Sequence, residues 1–190
     1  MVSCGSVRYF IIKMDNITKV RFGIEGISPL KMDRWTDLPS PKNENEAQKQ
    51  APQKVYRCEN GELGIPAAAI KAVMVLGIAE AGRRMESKRN KQTIKSGVFL
   101  SSTMLSIGKT DYDEIAVDII VRKGTGGKDT RVPTYRPLIK DWACEGELLL
   151  YGVSSDLAKQ SLEIGGLRFA LLGHRPEFGR FIITKWEVVE

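Results

Sequence analysis

Histidine is almost missing from this 190-residue chain: there is one, His174. A histidine-rich metal site is thereby excluded, and any Ser-His or Cys-His nucleophilic pair has to use that residue. Cysteine is scarce too. Cys4, Cys58 and Cys144 are odd in number, far apart and form no CxxC pair. That argues against a disulfide scaffold or a zinc ribbon and for a reduced, cytoplasmic setting. Long uncharged apolar runs are lacking. The stretch 65–81 holds Lys71 and Glu80, so it reads as a buried helix and not as a membrane span. The apolar run 9–12 is too short for the core of a secretory signal. Acid is in deficit: 23 Asp+Glu face 29 Lys+Arg, for a net charge of +6. What is present, 42% hydrophobic residues, suits one domain with a real core and excludes a disordered chain.

Along the chain, residues 18–27 alternate Val20, Phe22 and Ile24 with polar neighbours, the period of a half-buried strand. Ser28-Pro29 breaks that ladder. Residues 36–54 hold three prolines and almost no large apolar side chain, and predict a flexible loop insertion. A turn at 61–64 leads to Pro66, at the start of a helix over 67–81. That helix is apolar nearly all round, so a second layer of this chain or another subunit has to cover it. Strands are expected at 98–105, 114–123 and 147–153, and a helix over 156–164 that Gly165-Gly166 stops. A short strand over 167–172 and a last one over 180–189 complete the pattern. The order strand, helix, strand, strand, helix, strand is the βαββαβ arrangement of an α+β, ferredoxin-like (RRM-like) domain, with helices on one face of its sheet. In RNA-recognition domains the other face meets nucleic acid.

Three features bear on chemistry. Two basic loops, 83–95 and 122–140, hold Arg83, Arg84, Lys88, Arg89, Lys91, Lys95, Arg122, Lys123, Lys128, Arg131, Arg136 and Lys140. Such clusters neutralise phosphates, and Tyr135 lies among them where a base could stack. A solvated surface is the plainer reading of any charge run. The second feature is the glycine-punctuated segment 165–181, with His174, Arg175 and Arg180. Its glycines allow positive φ and its N–H groups could hold a phosphate; a tight turn is the alternative. The third is Asp33 with Asp37, able to assist phosphodiester cleavage by proton transfer or through a divalent metal, or merely to solvate a turn.

Three segments also resemble a known family. KVRFGIEGISPLKM resembles the first strand and turn of the RAMP superfamily, the backbone and processing subunits of CRISPR effector complexes. GELGIPAAAIKAVM is similar to the segment that opens that superfamily's first helix, and GGLRFALLGHRPEFGRF to its C-terminal glycine-rich loop. In this chain Ala67-Ala68-Ala69 replaces the family's Gly-Ser-Ser, and the last loop has fewer glycines. The resemblance implies a single domain over 1–190 with a thumb-like hairpin over 122–146. Lys71 takes the place of the helix lysine, and Gly173, His174, Arg175, Gly179 and Arg180 take the loop. Asp33 falls where some backbone subunits hold a cleavage aspartate.

The expected function is single-stranded nucleic-acid binding, RNA foremost, by a protein that assembles in multiple copies along the strand. It would act as a homo-oligomer or within a multi-subunit ribonucleoprotein, in the cytoplasm, away from membranes, and with no cofactor. A phage or mobile-element relative is one possible setting. Two other readings stand beside it: a metal-dependent endoribonuclease using Asp33, and a viral structural or assembly protein.

Overall fold

A computed structural model describes residues 17–39, 41–81, 84–123 and 129–189. In chain order the elements are β1 (Ile17–Gly26), β2 (Leu30–Lys31), α1 (Glu44–Gln50), a 3₁₀ turn (Ala51–Lys54), β3 (Gly64–Pro66), α2 (Ala67–Glu80) and α3 (Arg84–Gly97). Then come β4 (Val98–Leu100), β5 (Met104–Ser106), β6 (Glu114–Lys123), β7 (Asp129–Ile139), β8 (Ala143–Tyr151), α4 (Ser155–Arg168) and β9 (Phe181–Val189).

The principal sheet runs β4-β8-β1-β9, antiparallel throughout. Numbered by their order in the βαββαβ core, these strands stand 2-3-1-4, the ferredoxin-like topology expected from the element order. The alternation in β1 is realised: Val20, Phe22 and Ile24 are buried, and they share one core with Leu148, Leu150, Phe181 and the inner face of α2 (Ile70, Val73, Met74, Ile78). Each such side chain contributes about 1.5–3 kcal/mol when fully withdrawn from water.

Helix α2 is covered within the chain. The sheet takes one side, and α4 lies along another. Contact there is so close that a Cβ on Gly77 would stand 2.3 Å from the Ser161 carbonyl oxygen, and one on Gly165 would stand 2.5 Å from Val73 Cγ1. Gly165-Gly166 therefore does not stop α4, which runs on to Arg168; Gly165 serves the contact with α2, Gly166 packs against Phe181 of β9, and no strand forms over 167–172. Ser87 of α3 donates to the Ala79 carbonyl and fastens the third helix to α2. The basic stretch expected as a loop over 83–95 is thus mostly this helix, which buries Ser87 and Ile94 and leaves Lys88, Arg89, Lys91 and Lys95 outside.

Two insertions stand beyond the core. Strands β6 and β7 form a long hairpin, paired from Glu114↔Leu138 to Lys123↔Asp129, to which β2 adds at the base. The hairpin covers 114–139, ahead of the expected 122–146. The polar stretch 36–54 folds in part as α1 and the 3₁₀ turn, because Asn43 caps α1 by accepting from the Glu46 N–H, while Glu46 accepts from the Lys42 N–H. The expected strand 98–105 divides into β4, in the main sheet, and β5, which pairs with β3.

Candidate nucleic-acid interface

The segment between α4 and β9 is tied down by its backbone. Leu171 N–H donates to Gly179 O at 2.9 Å, Gly173 N–H to Lys31 O at 3.1 Å and Gly179 N–H to Pro29 O at 2.8 Å. The Arg180 N–H donates to Ser28 Oγ. These amides bond within the chain, so the loop offers few of them to a phosphate. Of its glycines, Gly179 takes a positive φ, 78°; Ala170, Leu172 and His174 hold φ of 58°, 59° and 55°. A non-glycine residue in this left-handed region costs on the order of 1 kcal/mol or more. The tethers to Pro29 and Lys31 hold the strained path in place, and it sets His174 against the hairpin.

There a charged cluster forms. Lys31, 3% exposed at its side chain, donates to Asp118 Oδ1 at 2.5 Å, and its Nζ lies 3.6 Å from the centre of the Phe178 ring. Arg136 on β7 donates to Asp33 Oδ2 at 2.8 Å and to Thr134 Oγ1 at 2.7 Å. Its Nη1 also lies 3.2 Å from His174 Nε2. Arginine has no acceptor, so His174 accepts through Nε2 and carries its proton on Nδ1. That nitrogen is 3.7 Å from Asp118 Oδ2, an oxygen with no hydrogen-bond partner among the described residues; Arg136 Nη1 stands 3.5 Å from it. Lys54 completes the group at 3.4 Å from Asp33 Oδ1.

The cluster brings together Asp33, Arg136 and His174, three of the residues singled out in the sequence. Asp33 faces a cation at each carboxylate oxygen, which opposes capture of a divalent metal, and the described residues contain no group of three His, Cys, Asp or Glu side chains able to hold one. Tyr135 is 5% exposed and its hydroxyl donates a hydrogen bond to Glu44 of α1. That bond raises the phenol's pKa above its ordinary value. Its ring presents no open face for a base, so the stacking expectation fails there. Lys71 leaves the helix surface to sit 4.2 Å from the centre of the Phe99 ring. Lys31, Asp118 and Phe178 are new. Asp118 did leave a trace in the sequence, as the one charge within the apolar run 115–121.

The remaining cations spread widely. Lys88, Arg89, Lys91 and Lys95 stand exposed on α3, and Arg131, Arg175 and Arg180 on the hairpin and last loop. Arg83 and Lys128 lie outside the described residues, as do the side chains of Arg84, Arg122 and Lys123. Gly97, at the end of α3, packs against Tyr151, which pairs with Ile17 at one end of the sheet. The last loop bonds to Ile27 at the other end, about 30 Å away at the rise of an extended strand. The open face of the sheet carries Glu25, Glu145, Glu147 and Glu187 against Lys19, Arg21 and Lys185, with Arg21–Glu147 and Lys185–Glu145 pairs. That face neutralises itself and is a poor track for phosphates, unlike the RNA-recognition analogy.

A ferredoxin-like core with an inserted hairpin, locked to a glycine-containing C-terminal loop, is the arrangement expected of a RAMP-like chain. Comparison with solved structures finds the same fold in a chain of "Cryo-EM structure of the Type III-B Cmr-beta bound to cognate target RNA", with a TM-score of 0.58 and 16% identity over 92% of this chain. The match spans 61% of that chain's length. A second likeness is to "Crystal structure of Cmr6 from Pyrococcus furiosus", with a TM-score of 0.47, 10% identity and coverage of 89% of this chain and 99% of that one. No family model and no curated protein matches the sequence. Among the described residues no helix is long and apolar enough to cross a membrane.

Proposed function

We propose that this protein binds single-stranded RNA, chiefly through the phosphate backbone, as a subunit of a multi-subunit ribonucleoprotein. The observation that carries the reading is the row of exposed cations on α3, Lys88, Arg89, Lys91 and Lys95, none of which has an ion-pair partner among the described residues. Arg131, Arg175 and Arg180 add to it at the hairpin and last loop. The likeness to a chain of a complex bound to cognate target RNA supports the same reading. Lys71, Lys128, Arg136 and His174 belong to the proposed surface on the strength of the RAMP resemblance, and Arg83 and Arg84 on that of the charge cluster they begin. Several copies along one strand extend the proposal. The apolar roundness of α2 does not argue for this, since the chain covers that helix itself. The argument rests instead on Val117, Ile119 and Val121, 57, 70 and 58% exposed on β6, an edge strand among the described residues.

The test is fluorescence anisotropy of a labelled 24-nucleotide oligo(U). Affinity falls with salt, with a log–log slope of about −0.7 per phosphate neutralised. The variant Lys88→Glu, Arg89→Glu, Lys91→Glu, Lys95→Glu loses binding while its circular-dichroism melt is unchanged. Undiminished binding by that variant refutes the assignment of α3.

A further inference from the structure

Trp35 is 78% exposed, in the segment that follows β2. Exposing a whole indole to water forfeits the burial that normally places tryptophan inside a protein. Trp142, by contrast, is 4% exposed and donates its indole N–H to Ser28 O. Beside the Trp35 segment lies an open groove of about 610 Å³ whose lining includes Arg34, Pro52, Val55, Tyr56, Arg57 and Met104. Its floor is apolar and half-buried aromatic, and its charged lining residues are both arginines. The neighbouring carboxylate, Asp33, turns away into Arg136 and Lys54.

Both arginines are held in place. Arg34 Nη2 donates to Gln53 O at 3.2 Å, and its backbone N–H donates to Lys54 O at 2.9 Å. Arg57 Nη1 donates to Gly61 O at 2.8 Å and to Thr110 O at 2.7 Å. Each guanidinium has five N–H groups, so most of its donors remain for a ligand. Pro52, Val55, Met104 and the half-buried ring of Tyr56 line the groove with two anchored, positively charged forks, one of them next in the chain to the exposed indole of Trp35, and together they match a flat ring attached to an anion.

We propose that Trp35 and the Arg34–Tyr56–Arg57 groove form a stacking site for an unpaired nucleobase, with its phosphate on Arg34 and Arg57. The site lies apart from the α3 cations and rests on the RNA-binding reading above, which it deepens by adding base contact to backbone charge. An acidic peptide shares the affinity for arginine but supplies no ring for Trp35, so aromatic exposure together with charge favours the nucleotide.

The experiment follows tryptophan emission and labelled-RNA anisotropy on the full chain with oligo(U), an abasic deoxyribose-phosphate oligomer of equal length and poly-glutamate. Oligo(U) quenches wild-type emission, and the quench disappears in Trp35→Phe, where Trp142 and Trp186 remain. Trp35→Ala weakens oligo(U) binding about tenfold or more, in the range of one stacked base, and Trp35→Phe recovers part of that loss. The abasic oligomer binds more weakly and leaves emission unchanged. Undiminished RNA binding by Trp35→Ala, with no quench of wild-type emission, overturns this site and leaves the backbone reading intact. Equal quenching by poly-glutamate or by the abasic oligomer overturns base stacking in favour of plain anion binding. Failure of wild type to bind any oligomer ends both proposals.

Discussion

At the scale of single residues the chain spends its rarest group on a joint. His174, its one histidine, meets Arg136 across a boundary between segments 38 residues apart, and Asp118 receives Lys31 from a third. Lys31 is 2% exposed, so its charge is sustained by Asp118 and by the face of Phe178. Removing one member of a buried pair leaves the other charge uncompensated, whereas replacing both with apolar groups removes the desolvation cost as well. Lys31→Met is therefore expected to destabilise the fold by about 3 kcal/mol in urea unfolding. Arg136, 3.5 Å from Asp118 Oδ2, limits that loss. The double variant Lys31→Met, Asp118→Leu is expected to lose less than the sum of the two single changes. Strict additivity across that cycle would show that the pair is not coupled.

At the scale of elements, glycine was the residue most easily misread. In sequence Gly165-Gly166 resembles a helix stop, because glycine is a poor helix former. Nothing local reveals that Gly165 faces Val73 of another helix, 92 positions earlier, across a gap with no room for a methyl group. The basic run 83–95 reads as a loop for a related reason. Its charge is plain in the sequence, but its two inward residues, Ser87 and Ile94, are too few to mark an amphipathic stripe. By contrast β1 was legible, since Val20, Phe22 and Ile24 keep a strict period of two. Two effects oppose each other in Gly165→Ala. Alanine favours the helix by about 1 kcal/mol. Its Cβ, however, would stand 2.6 Å from the Val73 carbonyl oxygen, which is backbone and cannot swing aside. Overpacking of that kind costs about 1–3 kcal/mol, so steric conflict wins. The variant is expected to unfold at lower urea than wild type by a net of up to about 2 kcal/mol; a more stable variant would mean that α2 and α4 are not held at this distance.

At the scale of the whole molecule, the order of elements was readable and their meetings in space were not. The βαββαβ sequence of periods leads to the sheet order. Where a long hairpin and a strained loop come to rest depends on contacts such as Gly173 N–H to Lys31 O, which no periodicity encodes. The same limit hid the outward face of β6. Read as a strand, 114–123 looks like ordinary core, yet among the described residues β6 is an edge strand with β7 on one side. Val117, Ile119 and Val121 face water on one side of the hairpin, opposite Asp118 and Ile120. An apolar edge strand with unpaired N–H and C=O groups invites another strand or another protein surface, and charge on that edge is the usual defence against it. The three side chains of this stripe carry none, although the exposed Arg131 stands opposite Val121 at one end, and the stripe is expected to drive self-association. Val117→Lys with Ile119→Lys introduces the missing charge at sites 57 and 70% exposed, where the fold has little packing to lose. In sedimentation velocity with oligo(U) present, the wild type is expected to form species larger than one protein per strand. The double-lysine variant should sediment as one copy per short strand, with RNA affinity for that copy unchanged or slightly raised by the added positive charge. If both proteins assemble alike, the contact between copies lies elsewhere; if the variant loses RNA altogether, this face of the hairpin touches the strand itself.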